Sequence, residues 1–79
     1  LRPPKESIKA ELYRLGLRYT YSTDNGEIWQ NDTRGIRATI TNNNPDTTTL
    51  EDITTHITQN TALADLRNIT RIDTMTASD

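Results

Sequence analysis

Cysteine and phenylalanine are both missing from this chain of 79 residues. Without a thiol there is no disulfide, no thiolate nucleophile, no zinc-thiolate centre and no iron-sulfur cluster, and the composition suits a reducing compartment. Apolar residues make up only 32% of the chain. No run of them is long enough for a membrane span or for the core of a signal peptide. A cytoplasmic protein with no membrane contact is therefore the expectation. At this length folding hides roughly 60% of the unfolded surface. A single thin core follows, and dimerisation or packing against a partner is its natural remedy.

Charge is not abundant in either sign, and the net value is -2. Residues 1 to 41 hold seven Lys/Arg against five Asp/Glu, or +2, and residues 42 to 79 hold two against six, or -4. An acidic chain argues against general nucleic-acid binding, while a mildly basic first half leaves room for one local anionic site. What the chain does have is threonine. Fifteen are present, concentrated after Thr39, and they read as solvated strand surface and helix caps.

Residues 1–4, Leu1-Arg2-Pro3-Pro4, read as an extended lead-in because each proline fixes its own backbone and disfavours helix before it. From Lys5 onward Ile8, Leu12 and Leu15 share one helical face, and Gly16 fits the left-handed cap, with Leu17 folding back. Leu17, Tyr19 and Tyr21 then alternate with polar residues as a half-buried strand. Asn25-Gly26 supplies a tight hairpin turn. A two-residue turn there sets Ser22 opposite Trp29 and Tyr21 opposite Gln30, so that Trp29 shares a face with Arg18, Thr20 and Ser22. Thr33-Arg34-Gly35 makes the next turn, and Ile36, Ala38 and Ile40 alternate as a third strand.

Asn42-Asn43-Asn44-Pro45-Asp46 ends that strand. Leu50, Ile53 and Ile57 restart helical spacing, with Thr48 or Thr49 as N-cap and Glu51-Asp52 in the first turn. After a break near Asn60-Thr61, Leu63, Leu66 and Ile69 read as a short helix, while Ile69 to Met75 reads equally as a fourth strand. The sum is an α+β domain over 5–75, helix-strand-strand-strand-helix. Its three-stranded antiparallel sheet carries helices on one face, an extra C-terminal helix or strand follows, and 76–79 form a flexible tail.

That order is the order of a double-stranded-RNA-binding domain. Leu15-Gly16-Leu17, Glu27-Ile28-Trp29-Gln30-Asn31, Ala38-Thr39-Ile40 and Thr49-Leu50 with Ile53 resemble the HicA family of small bacterial messenger-RNA interferases over about residues 6 to 58. Where that family carries its catalytic His, just before Glu27, this chain has Asn25-Gly26, and the family's Pro-x-His stretch is here Thr41-Asn42-Asn43. Gly26 transfers no proton. The resemblance thus implies the fold without the cleavage chemistry.

Among the residues themselves, Arg18, Trp29, Arg34 and Arg37 form the candidate nucleic-acid-binding set, since an aromatic flanked by guanidinium groups stacks unpaired bases and holds phosphates. Trp29 reads alternatively as the largest core residue. His56 is the only histidine; it has no orienting partner in the sequence and reads as an ordinary, partly exposed side chain, with acid-base ribonuclease chemistry as the alternative. Glu51-Asp52 and Asp24 with Glu27 are explained by capping and hairpin solubility before metal binding. No cofactor or metal is expected. The functional expectation is a non-catalytic RNA-directed module, or alternatively a protein-interaction or oligomerisation module of a phage or plasmid accessory protein.

Overall fold

In a computed structural model that describes residues 7–70, the chain forms seven elements. These are α1 (Ile8–Arg14), β1 (Arg18–Thr23), β2 (Gly26–Asn31), β3 (Ile36–Thr41), β4 (Asn44–Asp52), β5 (Thr58–Ala62) and α2 (Leu63–Leu66). The expected lead-in over 1–4, the tail over 76–79 and most of the alternative strand over 69–75 lie outside the described residues. The strands form one antiparallel sheet in the order β1-β2-β3-β4-β5, each beside its neighbour in sequence.

The first helix is built as its sequence dictates. Ser7 caps it by accepting the Ala10 N–H at 3.1 Å, which satisfies one of the free amides of the first turn. At the other end Gly16 takes φ +93°, a region that costs any residue with a Cβ. The Leu17 N–H then reaches the Leu12 carbonyl at 2.9 Å and the Gly16 N–H the Tyr13 carbonyl at 3.0 Å. This is the paired bonding of a Schellman cap. It throws Leu17 back onto Ile8, Leu12 and Leu15, and all four belong to the core cluster.

The expected three-stranded sheet is corrected to five strands, because the segment expected as the second helix is the end of β4 and the turn that follows it, and the stretch after that is β5. The Leu50, Ile53, Ile57 spacing is helical by coincidence. Strand β4 does have a period of two, with Thr48, Leu50 and Asp52 buried, but two of those three inward residues are polar. Strand β5 turns Gln59 and Thr61 toward the same side, opposite Leu50 and Thr48, so it has no apolar inward residue. A run of β-branched threonines favours strand over helix. Helix α2 is the short helix expected around Leu63 and Leu66, and Leu66 is fully buried in the core.

Asn42-Asn43 turns the chain rather than ending the sheet. Pairing of β3 with β4 jumps from Thr39↔Thr49 to Thr41↔Asn44, so residues 45–48 bulge opposite Ile40. Pro45 has no amide hydrogen to give a ladder, and at a bulge none is asked of it. The Thr48 hydroxyl closes the gap by donating to the Thr39 carbonyl at 3.0 Å.

The first hairpin also turns one residue earlier than expected. Thr23 pairs with Gly26, so the loop is Asp24-Asn25, and neither residue has positive φ. The Thr23 hydroxyl holds it instead, accepting the Asn25 and Gly26 amides at 3.3 and 3.1 Å. Gly26 is needed for space rather than rotation, because a Cβ there would run into the Ile40 carbonyl of the neighbouring strand.

Two unlike faces result. Ile36, Ala38, Ile40, Leu50 and the helix residues form the core cluster, and Trp29 packs against its margin. The other face carries Thr39 opposite Thr49 and Arg37 opposite Glu51, and none of the described helices covers it. Ile28 stands on that face, 7% exposed and outside the core cluster.

Candidate functional site

A one-residue bulge in β1 decides where the candidate binding residues stand. Because it falls between Tyr19 and Tyr21, the pairs are Arg18↔Gln30, Tyr19↔Trp29 and Tyr21↔Ile28. Directly opposed residues in an antiparallel pair lie on one face. Trp29 therefore joins Tyr19 on the helix side, with ring centroids 6.3 Å apart in a T-shaped contact. Its expected placement with Ser22 holds, since Ser22 pairs with Glu27 on the same side, but that with Arg18 is corrected: Arg18 follows Gln30 onto the open face. Thr20 is the extra residue of the bulge.

Trp29 is also engaged through its polar end. Its indole N–H donates to Glu27 at 3.0 Å, and Lys9 of α1 donates to the same carboxylate at 3.2 Å. The Trp29 hydrogen bond holds the Glu27 carboxyl below its ordinary value; desolvation opposes this, and the Lys9 hydrogen bond and charge reinforce it. Each of these contacts stabilises the ionised form or, for desolvation, penalises it. An indole tied in this way serves the margin of the core.

Arg18 and Arg37 do share the open face, with Gln30 between them. The Arg18 guanidinium turns back to the end of α1, stacking 3.7 Å over the Tyr13 ring and donating to the Tyr13 and Leu17 carbonyls at 3.1 and 2.9 Å. Arg37 donates to Gln30 at 3.1 Å and to Glu51 at 3.4 Å. Its charge is thus answered by a neighbour. Arg34 lies apart in the loop between β2 and β3, where its amide donates to the Asn31 side chain at 3.0 Å. The four residues do not form one surface.

His56 has the partner that the sequence did not reveal. Its Nδ1 lies 2.9 Å from the second Glu51 oxygen, its side chain is 74% exposed, and its φ is +63°. It is not helical; it sits in the turn between β4 and β5. Its backbone amide donates to the Asp52 carbonyl at 2.7 Å. Asp52 itself is buried and explained by its turn, with Oδ1 accepting the Thr54 and Thr55 amides at 2.9 and 3.1 Å. Among the described residues no cluster of three or more His, Asp or Glu side chains is arranged to hold a metal ion. No described helix is long and apolar enough to cross a membrane.

No known protein family, curated protein or solved structure matches this chain. The surface must speak for itself.

Its most distinctive feature is one that the alternation of Leu17, Tyr19 and Tyr21 concealed. Every residue of β1 is exposed, and the exposed large hydrophobic residues among those described are Tyr13, Tyr19 and Tyr21, at 58, 52 and 50%. All three lie on β1 or on the helix just before it. The bulge at Thr20 separates the two strand tyrosines, sending Tyr19 to the helix side with Trp29 and Tyr21 to the open side with Ile28. Strand β1 is also an edge, paired with β2 alone among the described strands. An alternating pattern predicts a half-buried strand only when something lies over one of its faces, and among the described residues nothing buries a side chain of β1.

Proposed function

We propose that this domain is a protein-interaction module that engages an extended segment of a partner protein along the outer edge of β1. The observation that carries the reading is the coincidence of a fully exposed edge strand with all three exposed tyrosines. An edge strand offers a row of unpaired amides and carbonyls to another chain, and side chains on either face select what binds. Tyrosine contributes large, stiff contact area and is enriched at protein interfaces.

The nucleic-acid reading keeps one observation, the common placement of Arg18 and Arg37 beside Gln30. It has less support in the remaining geometry. Trp29 faces the other way, Arg37 is answered by Glu51, and the chain is acidic overall.

The test is site-specific photocrosslinking in cells, with a benzoyl-phenylalanine in place of Tyr21 and, as control, in place of Thr58 on the opposite edge. A discrete protein adduct from position 21 and none from position 58 is the expected result. Equal labelling from both edges, or adducts from position 21 that disappear with nuclease, would overturn the reading.

A further inference from the structure

We infer that the segment received by the β1 edge is the same strand of a second copy, paired antiparallel about a two-fold axis between Thr20 and Tyr21. This rests on the strand-pairing reading above and names its partner. A closed two-fold contact requires a surface complementary to itself. β1 meets that requirement by the ends it presents. Arg18 opens the strand, its guanidinium exchanging the Tyr13 ring and carbonyl contacts for the partner on pairing, and Asp24 stands immediately after its last residue, Thr23. In the proposed register Arg18 of one copy lies opposite the partner's Thr23, beside the partner's Asp24, and the same contact recurs at the other end.

The bulge adds a second kind of complementarity. Because Tyr19 and Tyr21 stand on opposite faces of the edge, an added strand meets a tyrosine ring above the sheet and another below it. Under the two-fold axis each copy supplies both. The joined sheet has both sets of helices on one side, since an axis perpendicular to a sheet keeps like faces together. The β5 edge lacks these features: Thr58-Gln59-Asn60-Thr61-Ala62 has no charge and no aromatic ring. Nothing there fixes a register.

Sedimentation equilibrium of the full 79-residue chain tests the inference by charge reversal. The unaltered protein is expected to be a concentration-dependent dimer. Arg18→Asp alone places Asp against the partner's Asp24, and Asp24→Arg alone places Arg against the partner's Arg18. Each is expected to weaken the dimer tenfold or more, because like charges face each other twice. Mixing the two variants restores both attractive pairs in a heterodimer, as does combining both changes in one chain. Recovery in the mixture is a result that misfolded single variants would not give.

Three results would overturn it: a monomer at millimolar concentration, a dimer indifferent to both reversals, or a loss that neither mixture nor double variant repairs. The crosslinking experiment separates this failure from the broader one. A monomeric chain whose position 21 still captures a different protein removes the second copy and keeps the interaction edge.

Discussion

The two faces of the sheet share one backbone and one alternating pattern, yet they are held by different physics. On the covered side Ile36, Ala38, Ile40 and Leu50 meet Leu12, Leu15 and Leu66 in a dry cluster, where stability follows the apolar area removed from water. On the open side Thr39 stands opposite Thr49, the Thr49 hydroxyl donates to the Asn60 side chain at 2.8 Å, and Gln30, Arg37 and Glu51 link across three strands. Solvated polar pairs such as these contribute only fractions of a kcal/mol each. The difference teaches that a small chain can afford five strands while building a core on just one side of them.

The widest gap between the faces should appear on truncation. Leu12→Ala, at a residue with no exposed surface, is expected to cost about 2–5 kcal/mol, whereas Thr49→Ala on the open face should stay within about 0.5 kcal/mol. Urea denaturation followed by Trp29 emission measures both. Equal losses would show that the open face is covered by something in solution.

Next in size is an exception within the open-face row. Gly26 lies in the strand that carries Ile28, and a single added methyl there strikes the Ile40 carbonyl. Gly26→Ala is therefore expected to destabilise by about 1–3 kcal/mol, the usual cost of overpacking. A loss below about 0.5 kcal/mol in the same urea experiment would mean that β2 and β3 separate there without penalty.

The smallest effect concerns the border between the faces. Glu27 has a depressed carboxyl pKa, so its contribution to stability is present above the ordinary carboxylate value of roughly pH 4 and is lost as pH falls through the lowered folded value. Glu27→Gln removes that contribution. The stability gap between the original and the variant is expected to be larger at pH 7 than at pH 3. A gap independent of pH would show that the Trp29 and Lys9 contacts do not favour the ionised form.

The first half of the molecule was largely legible in its residues. Helix α1, its Gly16 cap and three strands follow from apolar spacing, a positive-φ glycine and clear alternation. The second half was not, because Thr48, Asp52 and Thr61 occupy buried positions that a hydrophobic pattern leaves blank. Asp52 is accommodated by the Thr54 and Thr55 amides, and Thr48 by the Thr39 carbonyl; hydrogen-bond partners of this kind leave no mark on apolar spacing. The candidate binding set suffered from a finer fault. Asn25-Gly26 is a strong hairpin signal, but the Thr23 hydroxyl and the closeness of β3 move the turn back to Asp24-Asn25. The bulge at Thr20 is what parts Trp29 from Arg18, and with the turn shift it puts Tyr19 beside the indole.

The unbroken sequence of neighbours in the sheet also governs how such a chain assembles. Every strand joins the one before it across a short connection, so little entropy is lost to loop closure at any single step. Non-local pairings are what usually make β proteins slow to fold. Here the hairpins can add one after another, in whichever order begins. The contact between α1 and α2 is of another kind, since it brings together residues near both ends of the described chain. It has to wait for the strands between them, which makes the docking of α1 against α2 a late event and the meander its precondition.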